Sequence, residues 1–271
     1  MSALQHKVII ITGASSGIGA ACALHLAGYQ TKLVLAARNR DKLMEVAEAC
    51  KTKGAQVHTV SCDVAVEADC KRLVDETVST FGTIHILINN AGISMRALFE
   101  LTGIEVIKQV MDINFWGTVY CTKYALPYLL NEKGSVVGVS SIAGYKGLPG
   151  RTGYSASKFA MQGFLEALRV ENLKKGLHVL IACPGYTASN IRNVALNKDG
   201  KAQSETPLDE SKLIQPEEVA AHITQAIIHR KRTIVLTTQG KLAVWLNKFF
   251  PAFTDRLVYN TIAKEPDSPF K

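Results

Sequence analysis

The stretch Thr12-Gly13-Ala14-Ser15-Ser16-Gly17-Ile18-Gly19 decides how this chain is read. It follows a short β-branched run, residues 8–11, and precedes residues 20–27, whose apolar side chains recur at helical spacing. A glycine turn can also end a strand for purely structural reasons, so its setting matters. Between a strand and a helix, Gly13 permits the sharp turn and Gly17 lets backbone approach a phosphate with no Cβ in the way. Gly19 allows close packing of helix on strand. The helix N-terminus then offers unpaired N–H groups and positive potential to a pyrophosphate, with Ser15, Ser16 and Ile18 in the same turn.

Outward from this turn, apolar runs alternate with amphipathic stretches. Residues 32–37, 56–62 and 84–88 read as strands, the last nearly all β-branched, as suits a parallel strand covered on both faces. Residues 41–51 and 67–81 read as helices, and residues 104–130 as a longer helical region divided near Pro127. Three more strands follow at 136–139, 179–182 and 234–236, with helices near 155–173 and 216–229 between them. Seven strands interleaved with helices predict one α/β domain, a doubly wound Rossmann-type sheet with helices on both faces, over residues 1–239. Residues 193–215 are mostly polar and too long for a plain connection; a substrate lid and a disordered surface excursion both fit. Residues 240–271 are expected to form a C-terminal helical extension.

Composition bounds the function. The 271 residues suit one large domain, and 47% apolar with 20% charged residues is ordinary for a soluble globule. A net charge of +8 attracts anions without choosing among cofactor, nucleic acid and membrane. Basic residues are dispersed and no recognition motif appears, so nucleic acid is not an expected partner. No apolar run is long enough to span a bilayer, and residues 1–7 hold no signal-peptide core. The six cysteines, Cys22, Cys50, Cys62, Cys70, Cys121 and Cys183, form no C-x-x-C pair and no zinc spacing. They read as free, buried thiols of a cytoplasmic protein without a structural metal.

The glycine spacing, G-x-x-x-G-x-G, differs from the G-x-G-x-x-G of many dinucleotide folds. It resembles the cofactor motif of the short-chain dehydrogenase/reductase family, and further segments follow that family's order. Asn89-Asn90-Ala91-Gly92 is similar to its N-N-A-G segment, Asn114 to its helical asparagine and Ser141 to its serine. Tyr154 and Lys158 reproduce its Y-x-x-x-K, and Pro184-Gly185 its P-G after the sixth strand. The resemblance runs from about Lys7 to Leu236. It implies hydride transfer between a nicotinamide and a carbonyl or secondary alcohol, in a homodimer or homotetramer. Tyr154 would be the acid/base, Ser141 the group that polarises the substrate oxygen, and Asn114 the holder of a water in a proton relay through Lys158.

Elementary chemistry agrees. Tyr154 and Lys158 are four apart on a predicted helix and share a face. A free tyrosine has a pKa of about 10, and lowering it by about 2–3 requires about 3–4 kcal/mol of preference for the phenolate. A cation about 4 Å away supplies that order of energy at an effective dielectric near 20, so Lys158 plus an oxidised nicotinamide suffices. Ser140, one residue before Ser141, faces the other side of its strand and reads as structural.

Cofactor choice turns on the end of the second strand. Residues 36–39 are Ala-Ala-Arg-Asn, with no carboxylate before Asp41, and Arg38 can hold a 2′-phosphate in bidentate fashion. The expected cofactor is therefore NADP(H), with Asn39 beside Arg38, and Asp63-Val64 at the adenine edge. The resemblance adds Asn90, Ala91, Gly92, Tyr154, Lys158, Pro184, Gly185 and Thr187 as expected cofactor contacts; Ser189 competes with Thr187 for the carboxamide. Tyr186 joins Ser141 and Tyr154 as a candidate substrate contact.

Two other readings stand beside this one. A cofactor-binding scaffold or sensor without turnover would need none of Asn114, Ser141, Tyr154 and Lys158. An acyl-thioester ketoreductase of the same family usually has a V-D-G-G-like ending, whereas this chain continues Leu236-Thr237-Thr238-Gln239-Gly240. In the extension, Leu242, Trp245, Leu246 and Phe249 form an apolar stripe, and Pro251 is expected to break the helix. The stripe is expected to pack over the substrate cleft or a neighbouring subunit and so favour a bulky apolar substrate; membrane contact is the weaker alternative.

Overall fold

The computed structural model describes residues 3–188, 191, 194–203, 213–265 and 268–270. The expected alternation is present. Strands β1 (Val8–Thr12), β2 (Lys32–Ala37), β3 (Gln56–Ser61), β4 (Ile86–Asn89), β5 (Ser135–Val139), β6 (His178–Cys183) and β7 (Thr233–Val235) form one sheet. All its pairings are parallel, in the order β3-β2-β1-β4-β5-β6-β7. Strands such as Val-Ile-Ile-Ile-Thr in β1 are buried at every position because helices cover both faces.

One face packs α1 (Gly17–Ala27), α2 (Arg40–Thr52) and α7 (Pro216–Ile228) over a core containing Ile9, Ile11, Leu33 and Leu35. The other packs α3 (Glu67–Phe81), α4 (Ile104–Met111), α5 (Gly117–Asn131) and α6 (Thr152–Glu171) over Ile10, Val34, Leu87 and Val179. Strand order reverses between β1 and β4, so their carboxyl ends open a crevice at the place where such sheets bind ligands.

Two local expectations are corrected. The helical region does not divide at Pro127, which lies inside α5. Pro127 and Lys123 one turn before it are both exposed, where water can satisfy the carbonyl that loses its partner. The division is instead a π-helical turn, Asp112–Trp116. The first helix also begins at Gly17 and not at residue 20, which puts its N-terminus inside the glycine turn.

Beyond β7, α8 (Thr238–Phe249) and α9 (Pro251–Ala263) form the extension, and the chain turns at Phe250–Pro251 as expected. The expected packing of the stripe within this chain is not observed. Leu242, Trp245 and Phe249 are exposed. The extension docks through other atoms: Gly240 lies against Ile142, Asn247 Nδ2 donates to Tyr145 O at 2.9 Å, and Thr254 and Ile262 are buried. Two ion pairs, Lys146–Asp255 and Arg96–Glu265, tie the extension to the body.

Candidate active site

The glycine turn has the geometry its sequence calls for. Gly13 and Gly17 adopt left-handed backbone, with φ of 65° and 55°, which favours glycine. A Cβ on Gly13 would lie 2.8 Å from Ala91 Cα, and one on Gly19 would collide with Gly13 O and the Asn90 side chain. Thr12 Oγ1 accepts from the N–H groups of Asn90 and Ala91, both at 3.1 Å, while Asn90 Nδ2 donates to Thr12 O and Gly13 O. Asn90 thus bolts the turn to β4. Ser16, the N-cap of α1, is exposed and its side chain makes no capping bond, leaving the first N–H groups of α1 open to an anion.

At the next strand ends, Arg38 Nη1 stands 3.9 Å from Asp63 Oδ2, with the Arg38 side chain 62% exposed. Asn39 is the N-cap of α2 and accepts from Lys42 N at 3.0 Å, so its carbonyl oxygen is used in folding. Asp63 Oδ1 accepts from Ala65 N at 3.1 Å, and Val64 is buried beneath Gly117. The strand ends thus hold a largely exposed guanidinium in a long ion pair with Asp63. Together with the glycine cradle, this set fits a dinucleotide.

The catalytic candidates converge at the β5 end of the crevice. Ser141 follows β5 in extended backbone, and its Oγ accepts from Ala143 N at 3.2 Å, opening a short 3-10 turn. Tyr154 lies close enough to Ser141 for the serine side chain to favour its ionised form. Lys158 is buried one turn along α6, donates to Val139 O at 2.8 Å, and has Nζ 5.8 Å from the Tyr154 ring centre. Burial pushes the Lys158 ammonium down to about 8, with the neighbouring Cys183 side chain opposing. Burial also raises the Tyr154 pKa, against the Ser141 side chain and the Arg151 charge. The chain's own groups therefore do not lower Tyr154; desolvation outweighs them.

Asn114 is fully buried in the π-helical turn. Its Oδ1 accepts from Ile93 N at 2.8 Å, and its Nδ2 donates to Ile93 O and to Ser157 Oγ, both at 2.9 Å. Ser157 Oγ in turn donates to Tyr154 O at 2.8 Å. A Cβ on Gly92 would meet Asn114 Oδ1 at 3.1 Å and Lys158 Nζ at 3.5 Å, so the two polar ends flank one small space. Ser140 is structural as expected, with Oγ accepting from Gln162 Nε2 at 2.9 Å.

Pro184 and Gly185 follow β6, and Gly185 sits tightly under Thr237. The Thr187 hydroxyl donates to Gly185 O at 3.2 Å. Ser189 lies outside the described residues, as do residues 193 and 204–212 of the expected lid. The described part of that loop is docked: Arg96 N donates to Leu196 O at 2.8 Å, and Leu196 N to Ser94 O at 2.9 Å. Tyr186 is exposed, with the Arg151 guanidinium 6.0 Å from its ring centre. Arg151 has no place in the motif reading. Its one signal is its position three residues before Tyr154, on the same helical face.

The model of the family described as short chain dehydrogenase matches residues 7–199. The chain belongs to this family. An 11-beta-hydroxysteroid dehydrogenase A of Sesamum indicum is 35% identical over 271 residues, covering 96% of this chain and 78% of that protein. Solved structures share the fold. A short chain dehydrogenase/reductase from Burkholderia phymatum in complex with NAD matches with TM-score 0.84 at 24% identity, over 93% of this chain and 96% of that one. An alcohol dehydrogenase from the archaeon Thermococcus sibiricus, complexed with 5-hydroxy-NADP, matches with TM-score 0.76 at 24% identity, over 86% of this chain and 96% of that one. Family membership makes the chain an oxidoreductase that uses a nicotinamide cofactor on hydroxyl or keto groups of small molecules.

Proposed function

We propose that this protein is an NADP(H)-dependent oxidoreductase interconverting a bulky, lipophilic ketone and its secondary alcohol. The observation that carries the reading is the convergence of Ser141, Tyr154 and buried Lys158 beside a dinucleotide cradle. Ser141 Oγ and the Tyr154 hydroxyl are placed to hold one substrate oxygen, Ser141 stabilising developing negative charge and Tyr154 transferring the proton. Tyr154 is the acid in reduction and the base in oxidation. Because burial holds its proton, the bare site is poised as an acid. Lys158, near 8, can pass a proton towards Asn114, whose bonds to Ile93 and Ser157 fix that end of the relay. The nicotinamide, when bound, supplies the hydride or accepts it, and in its oxidised form adds positive charge near Tyr154.

Arg38 supports the phosphorylated cofactor: it is the cation at the β2 end, and no carboxylate on that turn competes for the ribose. The hydroxysteroid dehydrogenase named among the relatives supports a large alicyclic substrate. Residues 240–271 border the same site through Ile142 and Tyr145. Six unpaired, buried cysteines suit a reducing cytoplasm, and exposed Trp116 and Phe159 support assembly as a homodimer or homotetramer. A panel of hydroxysteroids, other bulky secondary alcohols and their ketones, assayed by cofactor absorbance with NADP(H) and NAD(H), tests the reading. Turnover of bulky members with NADP(H) is expected. Turnover confined to small aldehydes, or preference for NAD(H), would overturn it.

A further inference from the structure

The α8–α9 hairpin exposes more large apolar surface than its docking explains. Trp245, Phe249 and Phe253 are 53%, 56% and 58% exposed. Trp245 contacts the rings of Phe249 at 5.4 Å and Phe250 at 6.0 Å, and exposed Phe253 follows three residues after Phe250 in the first turn of α9. Leu242 and Leu257 extend the face at either end by helical spacing. A patch of this kind on a folded chain marks an interaction surface.

Charge chooses the occupant. Of the three acids of the extension, Asp255 and Glu265 are consumed in ion pairs with Lys146 and Arg96 of the body, and Asp267 lies outside the described residues. Lys241, Lys248, Arg256 and Lys264 have no acidic partner among the described residues, and Lys248 Nζ lies 5.7 Å from the Phe249 ring centre. A second copy of the hairpin would bring cations against cations, which disfavours self-association there. An anionic lipid surface accepts both features, with aromatic rings at headgroup depth and long cationic side chains reaching the phosphates. No helix among the described residues is long and apolar enough to cross a membrane, so binding would be in the plane of the surface.

We infer that the outer face of the α8–α9 hairpin docks the protein on an anionic phospholipid bilayer. The hairpin is tied to the crevice loops by the Asn247–Tyr145 bond and the Lys146 and Arg96 ion pairs, so docking holds the mouth of the site near the bilayer. The inference does not depend on the substrate reading.

The test is flotation of the full chain with vesicles of phosphatidylcholine alone and of equal parts phosphatidylcholine and phosphatidylglycerol. Binding to the anionic vesicles, weakened by salt, is expected. Reversing Lys241 and Lys248 (K241E, K248E) should weaken it by at least roughly fivefold per cation. The triple variant W245S/F249S/F253S should lose at least roughly tenfold, with its fold verified by unchanged cofactor binding. Absence of binding to anionic vesicles, equal binding to both compositions, or an unaffected triple variant would each overturn the inference. A self-association that the triple variant abolishes, without vesicle binding, would assign the face to a second copy and overturn it as well.

Discussion

Replacing Lys158 with methionine should abolish turnover and yet stabilise the cofactor-free protein at neutral pH. Lys158 is buried, and its ammonium donates a hydrogen bond to Val139 O at 2.8 Å. Burial pushes its pKa from 10.5 to about 8, which costs on the order of 3 kcal/mol while the group is protonated. Methionine keeps the volume and removes the charge; the lost hydrogen bond offsets about 1 kcal/mol, leaving a gain of about 1–2 kcal/mol. The pH dependence fixes the sign. Between about 8 and 10.5 the unfolded chain binds more protons at this position than the native one, so wild-type stability rises with pH. The advantage of K158M should therefore shrink as pH rises through that window. Urea unfolding of both proteins at pH 7 and above pH 9 measures it. Destabilisation of K158M by the same amount at both pH values would refute the claim that burial strains this lysine.

Two further outcomes follow from the cradle. Arg38→Ala should weaken NADPH about ten- to a hundredfold and leave NADH nearly unchanged, by cofactor fluorescence titration; equal losses would mean that Arg38 supports structure. Gly19→Ala should destabilise the fold by about 1–3 kcal/mol and impair cofactor binding, because its Cβ would meet Gly13 O and Asn90. Gly28→Ala, whose Cβ would come no nearer than 3.6 Å to His25 O, is the internal control in thermal unfolding and should be nearly silent.

Features whose cause is local were the ones legible in the chain. Buried β-branched runs, the glycine turn and the Tyr154–Lys158 spacing are each set by neighbours a few residues away. The π-helical turn was not legible, since one residue of extra pitch hardly alters apolar periodicity across residues 104–130. Cys183 reaches the site through tertiary placement, while Arg151 and Ser157 carry only a spacing of three from Tyr154, which does not by itself mark a role. The tail shows the same limit. Periodicity revealed the stripe Leu242, Trp245 and Phe249, but not that the body would grip the hairpin by Gly240, Asn247 and Thr254 instead. The Tyr154 pKa depends on burial against nearby charge, and burial is a property of the fold.

The most direct test of the account is turnover of Tyr154→Phe on a bulky ketone with NADPH, beside its cofactor affinity. The Tyr154 hydroxyl, close to Ser141 and Lys158, is assigned the proton transfer. Turnover should fall by at least about a hundredfold while NADPH binding and the fold persist. Turnover near the wild-type rate would contradict the assignment and, with it, the proposed mechanism.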